Sequence, residues 1–278
     1  MNPRTLMAVV AGLVLVAFGG FYFALKPHAN DALLPPALPP AQTATPSSAA
    51  APPVVVPPPP PLATAASIDA EIALSEHAEL QALLKKNFAA EYDELIAVAV
   101  RRRNEGVSDQ IFGQELAERF EAIMRGKLKY GVGASTPTID KLAANEASLF
   151  HALSTEDAGL CLKMLGKEDG ATVTATPESV RQLMRLGTLY RFQAIAEGMP
   201  TAKPAEALTG DEMRAFEASL AREGLNFKDV STGAYLNSGT EPGKPCRTLE
   251  TLHLAIARLA EGTRRKIYAG MFFLGRDK

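Results

Sequence analysis

Hydrophobic side chains recur at intervals of three and four residues along most of the chain after residue 67. This spacing places them on one side of an α-helix and therefore predicts a helical fold. The first stripe has no Gly or Pro before Gly106, so it predicts either one long helix or two helices stacked end to end. Its members are Ile68, Ile72, Leu80, Leu83, Leu84, Phe88, Tyr92, Leu95, Ile96, Ala99 and Val100.

Several helix-start signals agree with the hydrophobic pattern. Thr136 and Thr176 are each followed by a proline, the arrangement of a capping hydroxyl before the first helical residue. Thr209 precedes Glu212 by three residues, which is the spacing of a capping box. Because a helical stripe follows each signal, we expect an all-α domain, a compact bundle of about seven or eight helices.

The internal organisation of this bundle can also be predicted. The segment from about residue 177 to 197 is hydrophobic on most sides, which is typical of a central helix. Residues 227–245 are interrupted by Gly, Pro and Asn and are expected to form a long loop. A final helix is expected from Thr248 to about Tyr268. We assign the whole domain to residues 67–278.

The N-terminal region contains an unbroken stretch of uncharged, mostly apolar residues from Thr5 to Leu25. At 1.5 Å per residue, a helix of this length spans roughly 30 Å, the thickness of a bilayer core. The stretch ends in aromatic residues, which favours an uncleaved transmembrane signal anchor over the alternative, a cleaved signal peptide. Arg4 on its N-terminal side predicts that residues 1–4 are cytoplasmic and the remainder is exported.

Residues 26–66 are rich in Pro and Ala and form a predicted disordered linker. Proline prevents both helix and central strand, and such a stretch prefers the polyproline II conformation at about 3.1 Å per residue. The 28 residues of Pro35–Leu62 could therefore reach roughly 85 Å. We interpret this linker as a spacer; a ligand for a proline-binding partner is the alternative.

Charge and composition exclude one class of partner. The formal net charge is −2, with 29 basic and 31 acidic side chains. Nucleic-acid binding requires clustered positive charge, so we expect no nucleic-acid partner. Tryptophan is absent, which removes a common stacking platform for bases and sugars.

Cys161 and Cys246 are the only cysteines of the chain. In an exported domain a lone pair is most simply one disulfide, and this one would join the predicted loop and last helix to the rest of the bundle. The alternatives are a reactive thiol near a helix N-terminus and two free buried thiols.

Two groups of residues are candidates for chemistry. Glu250 and His253 lie one helical turn apart, but a di-iron bundle uses two such pairs, so we expect His253 at the edge of a packed face instead. Glu146 and Glu178 stand near helix starts beside apolar residues, where burial could raise the pKa of a general acid. No motif distinguishes them, and the sequence assigns no catalytic, cofactor-binding or metal-binding residue.

Two basic clusters are candidates for contact with an anion or a partner. Both stand near predicted helix C-termini, where cations also complement the helix dipole. They consist of Arg101, Arg102 and Arg103, and of Arg264, Arg265 and Lys266.

These features together predict a bacterial inner-membrane protein, attached through residues 5–25, with a periplasmic helical domain. We expect this domain to bind an envelope protein and to serve as a scaffold or accessory part of an envelope assembly. The alternative hypothesis is a cell-wall glycan hydrolase that uses a single buried glutamate. The non-enzymatic hypothesis is favoured because no catalytic motif is present.

Overall fold

The computed structural model describes residues 62–165, 176–201, 203–234, 241 and 243–274. Within these residues 79% of positions are helical and no strand occurs, which confirms the predicted all-α class. The predicted transmembrane segment and nearly all of the predicted linker lie outside the described residues. Among the helices that are described, none is both long and apolar enough to cross a membrane.

Eleven α-helices and one 3₁₀ helix are present in this part of the chain. The 3₁₀ helix is Leu128–Gly133. The α-helices are α1 (Ala65–Ala73), α2 (Ala78–Asn87), α3 (Ala89–Asn104), α4 (Asp109–Lys127), α5 (Thr136–Glu156), α6 (Ala158–Met164), α7 (Glu178–Gly198), α8 (Gly210–Arg222), α9 (Phe227–Thr232), α10 (Lys244–Ala257) and α11 (Glu261–Phe273).

The count exceeds the seven or eight helices predicted because several helices end without Gly or Pro. The first hydrophobic stripe divides into α1, α2 and α3, and the predicted last helix divides into α10 and α11. Phe88, between α2 and α3, leaves helical geometry with φ −139° and ψ 44°. Its ring is 1% exposed and packs edge-on against Phe192 at 5.4 Å, so core packing accompanies this break.

The centre of the bundle is α5. It packs most extensively against α7 and α10, and it also contacts α6 and α11. The prediction that the helix near residues 177–197 is central was wrong: α7 lies beside α5, and its Leu183, Leu186 and Tyr190 are partly exposed. The inward side of α5 consists of fully buried hydrophobic residues: Ile139, Leu142, Leu149, Phe150 and Leu153.

Helix starts follow the sequence signals, but the capping groups differ. The capping box at α8 is present in full, with the Thr209 amide donating to Glu212 Oε2 at 2.7 Å and the Glu212 amide donating to Thr209 Oγ1 at 3.2 Å. At α5 the N-cap residue is Ser135, not Thr136, and its side chain makes no cap bond to its own helix. At α7 the N-cap position is occupied by Pro177.

The predicted loop of residues 227–245 is helical at its start. The side chain of Asn226 accepts from the Lys228 amide at 2.8 Å and so caps α9. Gly233 ends this helix at φ 70°, a left-handed conformation that glycine adopts without steric cost. Residues 235–240 and 242 lie outside the described part of the chain.

Candidate functional site

The cysteine pair predicted from composition lies at disulfide distance. Cys161 on α6 and Cys246 on α10 have their sulfur atoms 2.04 Å apart, and both residues are 0% exposed. The link spans 85 positions of sequence and holds the short helix α6 against α10. A reactive thiol needs access to solvent, which this buried pair does not have.

The first basic cluster is engaged within the bundle. Arg102 donates from Nε to Glu115 at 2.6 Å, which ties α3 to α4, and Arg103 pairs with Glu71 of α1 at 2.8 Å. Hydrogen bonds from Arg102 lower the pKa of the Glu115 carboxyl. Arg101 is exposed to solvent. Two of these three cations therefore connect neighbouring helices.

The second basic cluster also makes internal contacts. Arg264 donates two hydrogen bonds, of 3.0 and 2.8 Å, to the carboxylate of Asp140 on α5. This pairing raises the pKa of the Arg264 guanidinium. Arg265 donates to two backbone carbonyls next to the start of α5, and Lys266 pairs with Glu212 at 2.9 Å. The structure thus gives both clusters a packing role, and the contact with an anion or partner stays a prediction.

The Glu250–His253 pair is separated in space. Glu250 Oε1 lies 3.0 Å from Nδ1 of the exposed His151 on α5. His253 is 2% exposed, not at the edge of the packed face as predicted, and its ring stacks on Tyr268 with centroids 5.5 Å apart. Burial lowers the pKa of His253 to about 3. Among the described residues, no three His, Cys, Asp or Glu side chains are grouped to hold a metal ion.

Of the two candidate general acids, Glu146 and Glu178, only Glu146 is buried. Glu146 on α5 is 0% exposed and pairs with Arg191 of α7 through one oxygen. Its second oxygen, Oε2, is buried without a hydrogen-bond partner. Burial raises the pKa of Glu146 above its ordinary value, and the nearby guanidinium opposes this rise. Glu178 is exposed and pairs with Arg181.

A small groove lies between α1, the end of α2 and α3, with a volume of about 280 Å³. One end holds Asp69, which accepts from Lys85 at 2.6 Å, from the Tyr92 hydroxyl at 2.5 Å and from the Gln81 amide at 2.9 Å. Hydrogen bonds from Lys85 and Tyr92 lower the pKa of Asp69, while burial and Asp69 raise the pKa of Tyr92 to about 12. Because these side chains hydrogen-bond to one another, they join α1, α2 and α3.

An exposed apolar side of α1 adjoins this groove. Positions i, i+4, i+7 and i+8 lie on one side of a helix, and on α1 these are Ala66, Ala70, Ala73 and the following Leu74, all exposed. Leu74 is 90% exposed, and Leu62, just before the helix, is 75% exposed. We call Ala66, Ala70, Ala73 and Leu74 the α1 face. Alanine is too weakly hydrophobic for this pattern to stand out in the sequence, and Ala66 falls in the predicted linker.

No family model, no curated protein and no solved structure matches this chain.

Proposed function

We propose that this chain is a single-pass protein of the bacterial inner membrane, whose periplasmic helical domain acts as an interaction scaffold or accessory component of an envelope assembly. Residues 5–25 form the anchor, residues 1–4 lie in the cytoplasm, and residues 26–66 act as the spacer. The proposal has two parts, location and interaction, and each has its own support.

Location is supported by the cysteine pair together with the apolar N-terminal stretch. Disulfides persist in oxidising compartments and are rare in the cytosol. A buried pair at disulfide distance, in a domain that follows a stretch long enough to span a bilayer, is the combination expected for an exported and anchored protein.

The observation that supports an interaction role is the α1 face. Single exposed hydrophobic residues are ordinary on protein surfaces, whereas large contiguous apolar patches are typical of contact surfaces. Leu74 and Leu62 are the two most exposed of the large hydrophobic residues described, and three exposed alanines lie on the helix between them. Two of the candidates for chemistry, Glu146 and His253, are instead buried in the core.

Location can be tested by protease treatment of intact spheroplasts. We expect the domain to be digested from outside while a tag placed before residue 1 survives, and both cysteines to resist alkylation until reductant is added. Protection of the domain, with thiols that alkylate without reductant once the protein is unfolded, would contradict the proposed location.

Interaction can be tested by crosslinking in cells followed by affinity purification of the full chain. The matched control is a bait with residues 1–61 only, which keeps the predicted anchor and spacer but lacks the domain. We expect the same companion protein in repeated experiments with the full chain and not with the control. Recovery of the same proteins with both baits would contradict a role for the domain.

The alternative function, glycan hydrolysis through one buried glutamate, has Glu146 as its candidate because burial raises its pKa, as a general acid requires. Its complete burial opposes this function, since α5 and α7 would have to separate before Glu146 touched a substrate. Purified full chain should release no fragments from peptidoglycan. Release by the wild type that is lost in Glu146→Gln would favour the hydrolase over the scaffold.

A further inference from the structure

The carboxylate of Asp69 on α1 is bound by three donors from the next two helices. Lys85 donates to Oδ2 at 2.6 Å, while the Tyr92 hydroxyl and the Gln81 amide donate to Oδ1 at 2.5 and 2.9 Å. Gln81 and Lys85 lie on α2 and Tyr92 lies on α3. Hydrogen bonds from Lys85 and Tyr92 lower the pKa of Asp69, so this environment favours an ionised carboxylate. We call the side chains of Gln81, Lys85 and Tyr92 the carboxylate site.

The carboxylate site is also organised by contacts that do not involve α1. Gln81 Nε2 donates to the Tyr92 hydroxyl at 2.9 Å, and the Lys85 ammonium lies 5.5 Å from the centre of the Tyr92 ring. Both contacts are made between α2 and α3. Because donors that are already in position lose less conformational freedom on binding, such a site binds a carboxylate at a low entropic cost.

The helix that fills this site is weakly packed. Of the nine residues of α1, only Ile68 is fully buried, and the helix packs chiefly against α2 and α3. A groove of about 280 Å³ lies beside it. Glu71 and Arg103, which form its other ion pair, are both more than half exposed, and exposed pairs contribute little to stability. Elements with few buried apolar contacts open at a lower free energy than the core, so α1 is suited to detach locally.

We propose that α1 is a detachable helix and that Asp69 occupies, within the same chain, a binding site for an acidic amphipathic helix of a partner protein. The partner carries a carboxylate in the place of Asp69 and apolar side chains in the places of Ile68 and Ile72, which pack against the core. This occupant follows from the chemistry of α1, the segment that the site binds in the structure. The inference rests on the proposed function, because it names the chemistry of the partner of the interaction domain.

The chemistry of the uncovered site favours an acid over a neutral or basic helix. When α1 leaves, Lys85 loses the carboxylate that it binds at 2.6 Å, and the Tyr92 hydroxyl loses its acceptor. Hydrogen bonds to a charged acceptor are stronger than those to a neutral one, and donors left without an acceptor cost free energy. A carboxylate of the partner replaces these bonds, which a neutral or basic side chain does not.

The test measures binding of a fluorescent synthetic peptide of residues 62–76 to the purified full chain in detergent. In the wild type, α1 competes with the peptide for the carboxylate site. Asp69→Ala in the chain removes the competing carboxylate, and we expect the peptide to bind this variant at least about tenfold more tightly. The matched control is Glu71→Ala in the chain, which removes the exposed ion pair of α1 but leaves the site filled, and it should have a smaller effect.

Two further changes test the chemistry of the site. A peptide with Asp69→Ala should lose the gain in affinity, because it brings no carboxylate. Lys85→Ala added to Asp69→Ala in the chain should also abolish the gain, because it removes the charged donor. Equal affinity of the wild type and Asp69→Ala for the peptide, equal binding of the two peptides, or a gain that persists without Lys85 would each overturn the proposal.

Circular dichroism of the Asp69→Ala chain provides the check on folding. We expect nearly full helix content, because only α1 is loosened. Unfolding of the whole domain would overturn the proposal, since α1 would then not detach separately. Failure of peptide binding can be told from failure of the proposed function: a companion protein recovered by crosslinking in cells supports the scaffold role even if the carboxylate site binds no peptide.

Discussion

At the scale of single residues, the fold buries two of the candidates for chemistry, Glu146 and His253, in the core. The sequence indicates His253 and Glu146 as candidate site residues, but it does not predict how deeply either side chain is buried. Phe150 and Tyr268, whose rings surround His253, come from α5 and α11. Only the packing of these helices therefore makes His253 a neutral core residue, with both ring nitrogens buried and without hydrogen-bond partners.

Replacing His253 should change the pH dependence of stability. The pKa of His253 is lowered to about 3 in the folded protein from 6.5, so the unfolded chain takes up a proton between these values and the folded chain does not. This contribution to the free energy of unfolding is fully present above pH 6.5 and is lost as the pH falls, by up to about 1.4 kcal/mol per pH unit. His253→Phe should abolish this loss in urea unfolding followed from pH 7 to pH 4.

The control for this prediction is the exposed His77, changed to Gln. We expect the loss of stability between pH 7 and pH 4 to persist in this variant, because His253 is unchanged. Parallel profiles for the wild type and His253→Phe would show that His253 is accessible or hydrogen-bonded, contrary to its placement in the core.

A glycine contact gives a second test at residue scale. A Cβ atom on Gly198 would lie 1.7 Å from the Tyr130 carbonyl oxygen, so the 3₁₀ helix approaches α7 more closely than any side chain allows. Gly198→Ala should lower the free energy of unfolding by roughly 1–3 kcal/mol or more. Gly126 on α4 has open space at its Cβ position, and Gly126→Ala should be neutral or stabilise by up to about 1 kcal/mol. Equal effects of the two variants in denaturant unfolding would contradict the close approach.

At the scale of elements, the sequence predicted the positions at which helices begin. It predicted less well which residues accept hydrogen bonds from the helix starts. The box of Thr209 and Glu212 was confirmed because both groups belong to one segment. The start of α5 is instead capped by Glu197, near the end of α7, which accepts from the Ser135 amide at 3.0 Å and from the Thr138 hydroxyl at 2.6 Å. Such a cap joins residues about 60 positions apart, so no local pattern could indicate it.

Glu197 should therefore stabilise α5 although it lies on another helix. Burial works against its charge, but the hydrogen bonds from Thr138 and Ser135 outweigh this and lower the pKa of Glu197. Its stabilisation is present above the ordinary glutamate pKa and is lost as the pH falls below it. Glu197→Ala should cost about 1 kcal/mol at pH 7, the usual value of a lost helix cap, and less near pH 3.

The matched control is Glu217→Ala, an exposed glutamate on α8. Thermal or urea unfolding of both variants at pH 7 provides the measurement. If Glu197→Ala and Glu217→Ala unfold at the same denaturant concentration, the carboxylate does not cap α5.

At the scale of the whole molecule, the Cys161–Cys246 link closes a long loop. It spans 85 positions, for which the loss of unfolded-chain entropy stabilises the fold by roughly 4–5 kcal/mol. A variant with Cys161→Ala and Cys246→Ala should lose about this much stability in urea unfolding. Wild type treated with reductant under unfolding conditions should fall to the same value, whereas the double variant should not respond to reductant.

A wild-type protein whose unfolding is insensitive to reductant would contradict the link and would also weaken the support for an oxidising compartment. The single variant Cys161→Ala provides a further check, because it should lose at least as much stability as the double variant.

The sequence by itself determined the helical class and the α8 capping box, because the hydrophobic period and short-range capping are evident without tertiary contacts. It favoured a disulfide between Cys161 and Cys246 but left free or reactive thiols as alternatives, and the structure decided between them. Only the tertiary structure decided that α5 is central, that Glu197 accepts hydrogen bonds at its start, that His253 and Glu146 are buried, and that the α1 face is exposed. The physical reason is that burial and long-range hydrogen bonds depend on which helix sides meet. Contacts between distant segments determine which helix sides meet. The helix breaks at Phe88 and between α10 and α11 also lack a local signal, because neither contains Gly or Pro.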